Sequence, residues 1–149
     1  MTIRSAIADD LPEIRRIVRA AYLPYMLRMG RPPAPMLDDY AARMTITSLH
    51  VLERKDGGLS GIIVLLPRAD HLLLDNIAVD PAWHGQGFGR RLMNFAETEA
   101  RRLGLPEIRL YTNALMTENL ALYPRLGYRQ TDRRMEQGYD RVFFAKSVD

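Results

Sequence analysis

His84-Gly85-Gln86-Gly87-Phe88-Gly89 decides the reading of this chain. An apolar stretch, Leu72 to Val79, runs into it, and an amphipathic stretch, roughly Arg90 to Leu103, runs out of it. The first reads as a strand and the second as a helix. Glycines at alternate positions let backbone N–H groups converge without Cβ obstruction. The helix start adds unpaired N–H groups and the positive end of its dipole. The stretch is therefore expected to form an anion nest, a seat for a pyrophosphate.

Spacing narrows the ligand. A nucleotide P-loop needs Gly-x4-Gly-Lys-Ser/Thr, whereas Arg90-Arg91 follow here. A dinucleotide fingerprint needs Gly-x-Gly-x-x-Gly, and this chain has Gly-x-Gly-x-Gly. Glu107 stands at the ribose-acid distance of that fingerprint, but the flanking strands do not alternate with helices as βαβ units require. A glycine-rich turn without a ligand is the plain alternative.

Outward from the loop, the 149 residues read as a single domain, 1–149, large enough for a real core. Apolar content of 47% and charged content of 26% are those of a globular protein. No apolar run approaches the ~20 residues of a membrane span. The opening Met1-Thr2-Ile3-Arg4-Ser5 starts no signal-peptide apolar region. The chain has no cysteine, which removes disulfides, thiolate metal sites and a cysteine nucleophile. A cytoplasmic setting is the expectation. The formal charge is +3; the arginines are scattered, so nucleic-acid binding gains little support and an acidic phosphate ligand fits equally well. The sequence shows no metal-ligating constellation, no serine nucleophile elbow and no heptad seam, so no metal is expected.

Elements follow from periodicity. Ile3 to Ser5 reads as a short strand, and Asp9 or Asp10 caps a helix running to about Tyr22. Gly30-Arg31-Pro32-Pro33-Ala34-Pro35 can be neither helix nor central strand. A short helix is expected over Leu37 to Met44, then strands over Leu49 to Arg54, Leu59 to Leu66 and Leu72 to Val79. Lys55-Asp56-Gly57-Gly58 is a hairpin signal. After the long helix come a strand over Ile108 to Asn113, a helix over Thr117 to Leu126 and a closing hairpin, Tyr128 to Glu136 with Arg141 to Val148. The helical crossover makes Leu72–Val79 and Ile108–Asn113 parallel neighbours. The order is βααβββαβαββ, a mixed sheet with helices on its faces.

This order, together with Val79-Asp80-Pro81-Ala82-Trp83-His84-Gly85-Gln86-Gly87-Phe88-Gly89-Arg90-Arg91-Leu92, resembles the GNAT superfamily of acyl-CoA-dependent N-acetyltransferases. The glycine stretch looks like that family's Arg/Gln-x-x-Gly-x-Gly/Ala pyrophosphate loop. A second stretch, Asn119-Leu120-Ala121-Leu122-Tyr123-Pro124-Arg125-Leu126-Gly127-Tyr128, is similar to its Asn-x-x-Ala-x-x-Tyr-x-x-x-Gly-Phe/Tyr ending. The resemblance covers essentially the whole chain. It implies an α/β (α+β) fold with a mostly antiparallel central sheet of six to seven strands and about four helices. His84 departs from the family's Arg or Gln; it is either a phosphate contact or an exposed loop histidine.

The resemblance further implies acetyl-CoA as cofactor, lying where the two parallel strands splay. Its pantetheine arm would pair with the backbone of Ile77, Ala78 and Val79. Its pyrophosphate would sit at His84, Gly85, Gln86, Gly87, Phe88, Gly89 and Arg90, taking N–H groups from Gln86 to Arg90. Asn119 would bond the pantetheine region and Tyr123 would protonate the departing thiolate. Asn119 and Tyr123 are four residues apart and share a helix face. Tyr123 as a core aromatic is the alternative; Phe88 and Tyr128 read as packing side chains.

Direct acetyl transfer to an amine follows, with catalysis by positioning and charge stabilisation. A backbone N–H near Ile77 could polarise the thioester carbonyl. The amine needs a base or a water chain. Asp75 leads, because an acid inside Leu-Leu-Leu-Asp-Asn-Ile-Ala-Val is out of pattern. The other reading has Asp75 satisfying backbone groups at a strand irregularity. Glu118 is the weaker base, more often a first-turn helix acid. Tyr22, Tyr25, Met29 and Tyr40, with Arg31, Met36, Asp38 and Asp39, mark an acceptor-binding wall. Asp38 and Asp39 could instead be helix caps. Tyr111 and Asn113 are expected to face the acceptor. That acceptor is a small-molecule or peptide amine of unspecified identity. A homodimer through an edge strand or the closing hairpin is open. A catalytically silent acyl-CoA-binding regulator is the competing function.

Overall fold

The computed structural model describes residues 1–45 and 48–148; residue 149, the end of the expected domain, lies outside the described residues. Seven strands form a sheet in the order β1-β2-β3-β4-β5-β7-β6. These are β1 (Thr2–Ser5), β2 (Leu49–Glu53), β3 (Leu59–Pro67), β4 (Leu72–Val79), β5 (Glu107–Asn113), β6 (Arg129–Glu136) and β7 (Tyr139–Ser147). Among the described residues the α-helices are α1 (Leu11–Met29), α2 (Tyr40–Thr45), α3 (Phe88–Arg102) and α4 (Thr117–Arg125). The expected order and the mostly antiparallel sheet are both present. The expected parallel pair is too, with β4 against β5 in the register Leu72–Ile108, Leu73–Arg109 and Leu74–Leu110. Among the described residues no helix is long and apolar enough to cross a membrane.

The chain divides into two compact units, Met1–Leu65 with Asn76–Ala96, and Leu66–Asp75 with Glu97–Asp149. In the first, β2 pairs antiparallel with β1 and with β3. β3 is buried from Leu59 to Leu66, so its nearly continuous apolar run is covered on both faces. Ile14, Ile17 and Val18 of α1 are buried, as are Val51, Ile62, Ile63, Val64, Leu92 and Ala96. Gly61 sits at a close approach: a Cβ there would stand 3.0 Å from the Ala78 carbonyl oxygen and 3.0 Å from Leu92 Cδ1, so both would have to give way by a few tenths of an ångström.

Two local expectations change. α1 does not end near Tyr22 but runs through Pro24 to Met29, where Gly30 at φ 76° caps it with its N–H 3.0 Å from the Met26 carbonyl. Pro24 removes one backbone donor, yet the Tyr22 hydroxyl bonds to β4 at Asn76 and Ile77 and holds that turn in place. The proline-rich segment, expected to be non-helical, makes a 3-10 turn over Ala34–Leu37. Pro35 fits there because the first positions of a turn need no N–H donor. The helix expected over Leu37 to Met44 is therefore split, and α2 starts at Tyr40.

In the second unit, β7 pairs antiparallel with both β5 and β6. Leu72, Leu74, Ile108, Leu110, Tyr123, Tyr128, Val142, Phe144 and Val148 are buried. β6 begins at Arg129 rather than Tyr128 and is exposed along nearly its whole length. Charged pairs such as Arg129–Glu107 at 2.9 Å and Arg133–Asp140 at 2.8 Å cover this end of the sheet, a common protection for an exposed strand.

Candidate active site

The glycine loop of the first unit has the geometry its sequence demands. Gly85 and Gly87 sit at φ 80° and φ 79°, in the left-handed region that disfavours a side chain. Nothing lies within 4 Å of where a Cβ would stand at either, so conformation alone demands glycine there. Helix α3 starts at Phe88, two residues earlier than expected. Arg91 N–H bonds to the Gly87 carbonyl at 3.0 Å, leaving the N–H groups of Phe88, Gly89 and Arg90 at the free end of the helix. Phe88 is buried and anchors the turn, while His84, Gln86 and Arg90 are exposed. A Cβ on Gly89 would meet Val79 Cγ2 at 3.8 Å, an ordinary contact. The open glycine cradle and the helix end fit the pyrophosphate of a coenzyme A.

A group that sequence reading missed fixes the approach to this loop. Asp80 is 4% exposed and caps the 3-10 turn Pro81–Trp83, accepting from Ala82 N–H at 3.0 Å. Arg16 of α1 donates to its other oxygen at 2.8 Å. Burial pushes the Asp80 carboxyl up, but the bonds from Arg16 and Ala82 outweigh it and hold it below the usual carboxylate range. The Arg54 guanidinium lies 4.1 Å from the Trp83 ring centroid. The available signal was Asp80-Pro81, an N-cap residue before a proline.

On β4, residues 73, 75, 77 and 79 are partly exposed and alternate with buried neighbours, as period-2 counting predicts. Ile77 and Val79 thus share the open set, whereas Ala78 is 4% exposed. Asn76 is 4% exposed and ties the first unit's elements together. The Tyr22 hydroxyl lies 2.6 Å from Asn76 Oδ1 and 3.0 Å from the Ile77 carbonyl oxygen. Asn76 Nδ2 donates to the Tyr40 hydroxyl at 2.8 Å, which donates to the Pro35 carbonyl at 2.5 Å. Tyr40, expected on an acceptor-binding wall, is 3% exposed; its place is in this buried string. Tyr25 packs 6.4 Å from Tyr22, with Arg28 5.1 Å over its ring, and Met29 is partly exposed near the end of α1. Of the Asp38-Asp39 alternatives, the structure shows capping. Asp39 accepts from Ala42 N–H at 3.1 Å, and Asp38 pairs with Arg43 at 3.1 Å.

In the second unit, Asn119 and Tyr123 lie on α4 as expected. Asn119 Nδ2 donates to Thr112 Oγ1 at 3.1 Å, joining α4 to β5. Tyr123 is 6% exposed. Its ring packs 5.9 Å from Tyr128 and 5.6 Å from Phe144. Gly127 at φ 92° turns the chain so that Tyr128 N–H reaches the Tyr123 carbonyl at 3.0 Å. The Tyr128 hydroxyl is buried without a hydrogen-bond partner among the described residues, and burial pushes its phenol well above the usual tyrosine range. Glu118 is exposed in the first turn of α4, where Thr117 donates to it at 2.9 Å.

Asp75 is partly exposed rather than buried. Its Oδ1 accepts from the Tyr111 hydroxyl at 3.1 Å, so two residues singled out separately in the sequence meet. The Tyr111 ring lies 4.3 Å below the Arg141 guanidinium. Arg141 is 5% exposed and donates to Glu136 at 2.6 Å. No sequence signal marks this arginine, because its burial depends on β5–β7 pairing. Asn113, expected to face the acceptor, accepts from Leu115 N–H at 2.9 Å and so shapes the turn after β5.

Residues 46–130 match the acetyltransferase (GNAT) domain family. The uncharacterized N-acetyltransferase YvbK of Bacillus subtilis (strain 168) is 28% identical over 125 residues, spanning 83% of this chain and 74% of that protein. Two solved structures share the fold at lower identity. The ribosomal-protein-S18-alanine N-acetyltransferase of Escherichia coli superposes with a TM-score of 0.78 at 24% identity, covering 99% of this chain and 94% of that one. The PaiA N-acetyltransferase of Thermoplasma acidophilum, solved with coenzyme A, gives 0.76 at 18% identity, covering 98% of each chain. The chain belongs to the GNAT family of acetyltransferases.

Proposed function

We propose that this chain is an N-acetyltransferase that takes an acetyl group from acetyl-CoA and passes it directly to an amine of a small molecule or peptide. The observation that carries the reading is the loop with Gly85 and Gly87 at positive φ, set immediately ahead of the free N-terminal end of α3. The match over 46–130 runs through residues of both units, which supports treating them as parts of one acetyltransferase domain. Acetyl-CoA supplies an activated thioester when bound. The N–H groups from Gln86 to Arg90 hold its phosphates, and the exposed His84 and Arg90 side chains add contacts. Backbone groups of Ile77, Ala78 and Val79 receive the pantetheine arm, and Asn119 contributes its amide. Tyr123 donates a proton to the departing thiolate. Asp75, held as a hydrogen-bond acceptor by Tyr111, takes the proton from the amine. Tyr22, Tyr25 and Met29 on α1 and Tyr111 on β5 select the acceptor.

A catalytically silent acyl-CoA-binding regulator is the second reading. It is favoured by one arrangement: Tyr123 stands in an aromatic cluster and Asn119 already serves Thr112. Calorimetry with acetyl-CoA, and with dephospho-CoA and NAD as comparison ligands, tests both readings at their shared step. Selective acetyl-CoA binding followed by thiol release with an amine from a library supports the enzyme. Binding with no release on any amine supports the regulator, and no binding removes both.

A further inference from the structure

Arg15 and Arg19 stand one helical turn apart on α1 and are both exposed. Among the described residues neither has a carboxylate or other hydrogen-bonding partner. They line a pocket of about 190 Å³ whose other walls are Val18, Met36, Asp38 and Tyr40. Opposite them, the Asp38 carboxylate is engaged by Arg43 Nε at 3.1 Å and by its neighbour Asp39 N–H at 2.9 Å. The lining thus sets two guanidinium groups, Arg15 and Arg19, against one carboxylate, Asp38, which is itself already engaged by Arg43.

Most arginines of this chain are differently placed. Arg4 is matched to Asp10 and Glu53, Arg16 to Glu13 and Asp80, and Arg102 to Glu99. Two neighbouring guanidinium groups left unmatched at the rim of a concavity repel each other unless an anion joins them. The far wall is firmly held. Tyr40 lines the pocket, and its hydroxyl is fixed by the Pro35 carbonyl and Asn76. A rigid apolar wall facing two forked donors is preorganised for a ligand.

We infer that this pocket is a binding site for a compact anion bearing a phosphate or carboxylate group, bridged by Arg15 and Arg19 and seated on Val18, Met36 and Tyr40. The volume is below the ~300 Å³ at which pockets begin to hold drug-sized molecules, so the ligand is a small metabolite-sized anion or one anionic group of a larger molecule. The inference does not depend on the acetyltransferase reading. None of the lining residues belongs to the glycine loop.

The test is methyl and amide NMR of the whole chain, titrated with inorganic phosphate and separately with succinate, against sodium chloride at matched ionic strength. Saturable shifts of the Met36 and Val18 methyl groups with phosphate or succinate are expected, absent with chloride. In Arg15→Ala/Arg19→Ala, binding at this pocket should weaken by at least ~10-fold, as loss of charge-assisted hydrogen bonds implies. A melting temperature equal to wild type shows that the variant is folded; these exposed side chains carry no internal bond. Shifts confined to the Gly85 and Gly87 amides would mean that the anion goes to the glycine loop alone and would overturn the inference. Equal shifts with chloride, or unchanged affinity in the double variant, would overturn it as well.

Discussion

The two glycine-marked turns of this protein, around Gly87 and around Gly127, look alike in backbone and differ in surroundings. Both hold glycine in the left-handed region, at φ 79° and φ 92°. Around Gly87 there is open space, and the neighbouring residues 84–87 are exposed. Around Gly127 a Cβ would meet Lys146 Cε at 3.2 Å, and the next residue, Tyr128, is buried. The first turn leaves its glycine open and leads straight into α3. The second closes α4 onto its own core. Neither conformation nor open space alone separates a ligand loop from a structural stop, since Gly30 caps α1 at φ 76° with equally open space around it; what sets Gly87 apart is the start of α3 that follows it.

That contrast can be broken by substitution. Gly87→Val places a β-branched residue at φ 79°. It should weaken acetyl-CoA binding by at least ~100-fold, equivalent to about 2.7 kcal/mol, while circular dichroism and melting stay near wild type. Normal binding measured by calorimetry would end the assignment of this loop to phosphate. Tyr123→Phe keeps the aromatic cluster and removes the proton donor. Turnover should fall by at least ~100-fold, read as thiol release in single-turnover assays, with acetyl-CoA affinity unchanged. Unaltered turnover would leave Tyr123 as a packing residue only.

Gly127→Ala should do the reverse of the loop variant. It should cost about 1–2 kcal/mol of stability through the left-handed backbone, seen in chemical denaturation, and leave coenzyme affinity intact in the folded fraction. A variant as stable as wild type would show that Lys146 yields and the turn tolerates a side chain. The smallest effect is expected at Tyr128→Phe. Removing a buried hydroxyl that has no partner among the described residues should raise stability by about 1 kcal/mol. A loss of stability in the same denaturation experiment would show that this hydroxyl has a bonded role.

Much of the fold was legible because it rests on short-range pattern. The nearly continuous apolar run of β3 and the alternation of β4 are written in consecutive residues. The stop after α3, at Gly104 (φ 70°) and Pro106, is equally local. The helical crossover makes β4 and β5 parallel, for the chain direction and handedness admit little else. The errors came where a distant contact overrode a local preference. The helix is expected to end near Tyr22, yet α1 continues to Met29, with Tyr22 bonded to Asn76 and Ile77, more than fifty residues away. Tyr40 reads as an exposed aromatic on a wall, but its hydroxyl completes the Asn76 string.

The candidate site divides in the same way. By itself the sequence determined the glycine loop, the helix behind it and the Asn119–Tyr123 face, since backbone conformation, caps and helical spacing are properties of a few neighbouring residues. Only the tertiary structure decided that Asp75 meets Tyr111, that Arg141 is buried above that tyrosine, and that Asp80 anchors the loop through Arg16. Each of those contacts joins residues far apart in the chain. Strand register and helix packing set which of them touch, and no periodicity along one segment encodes that.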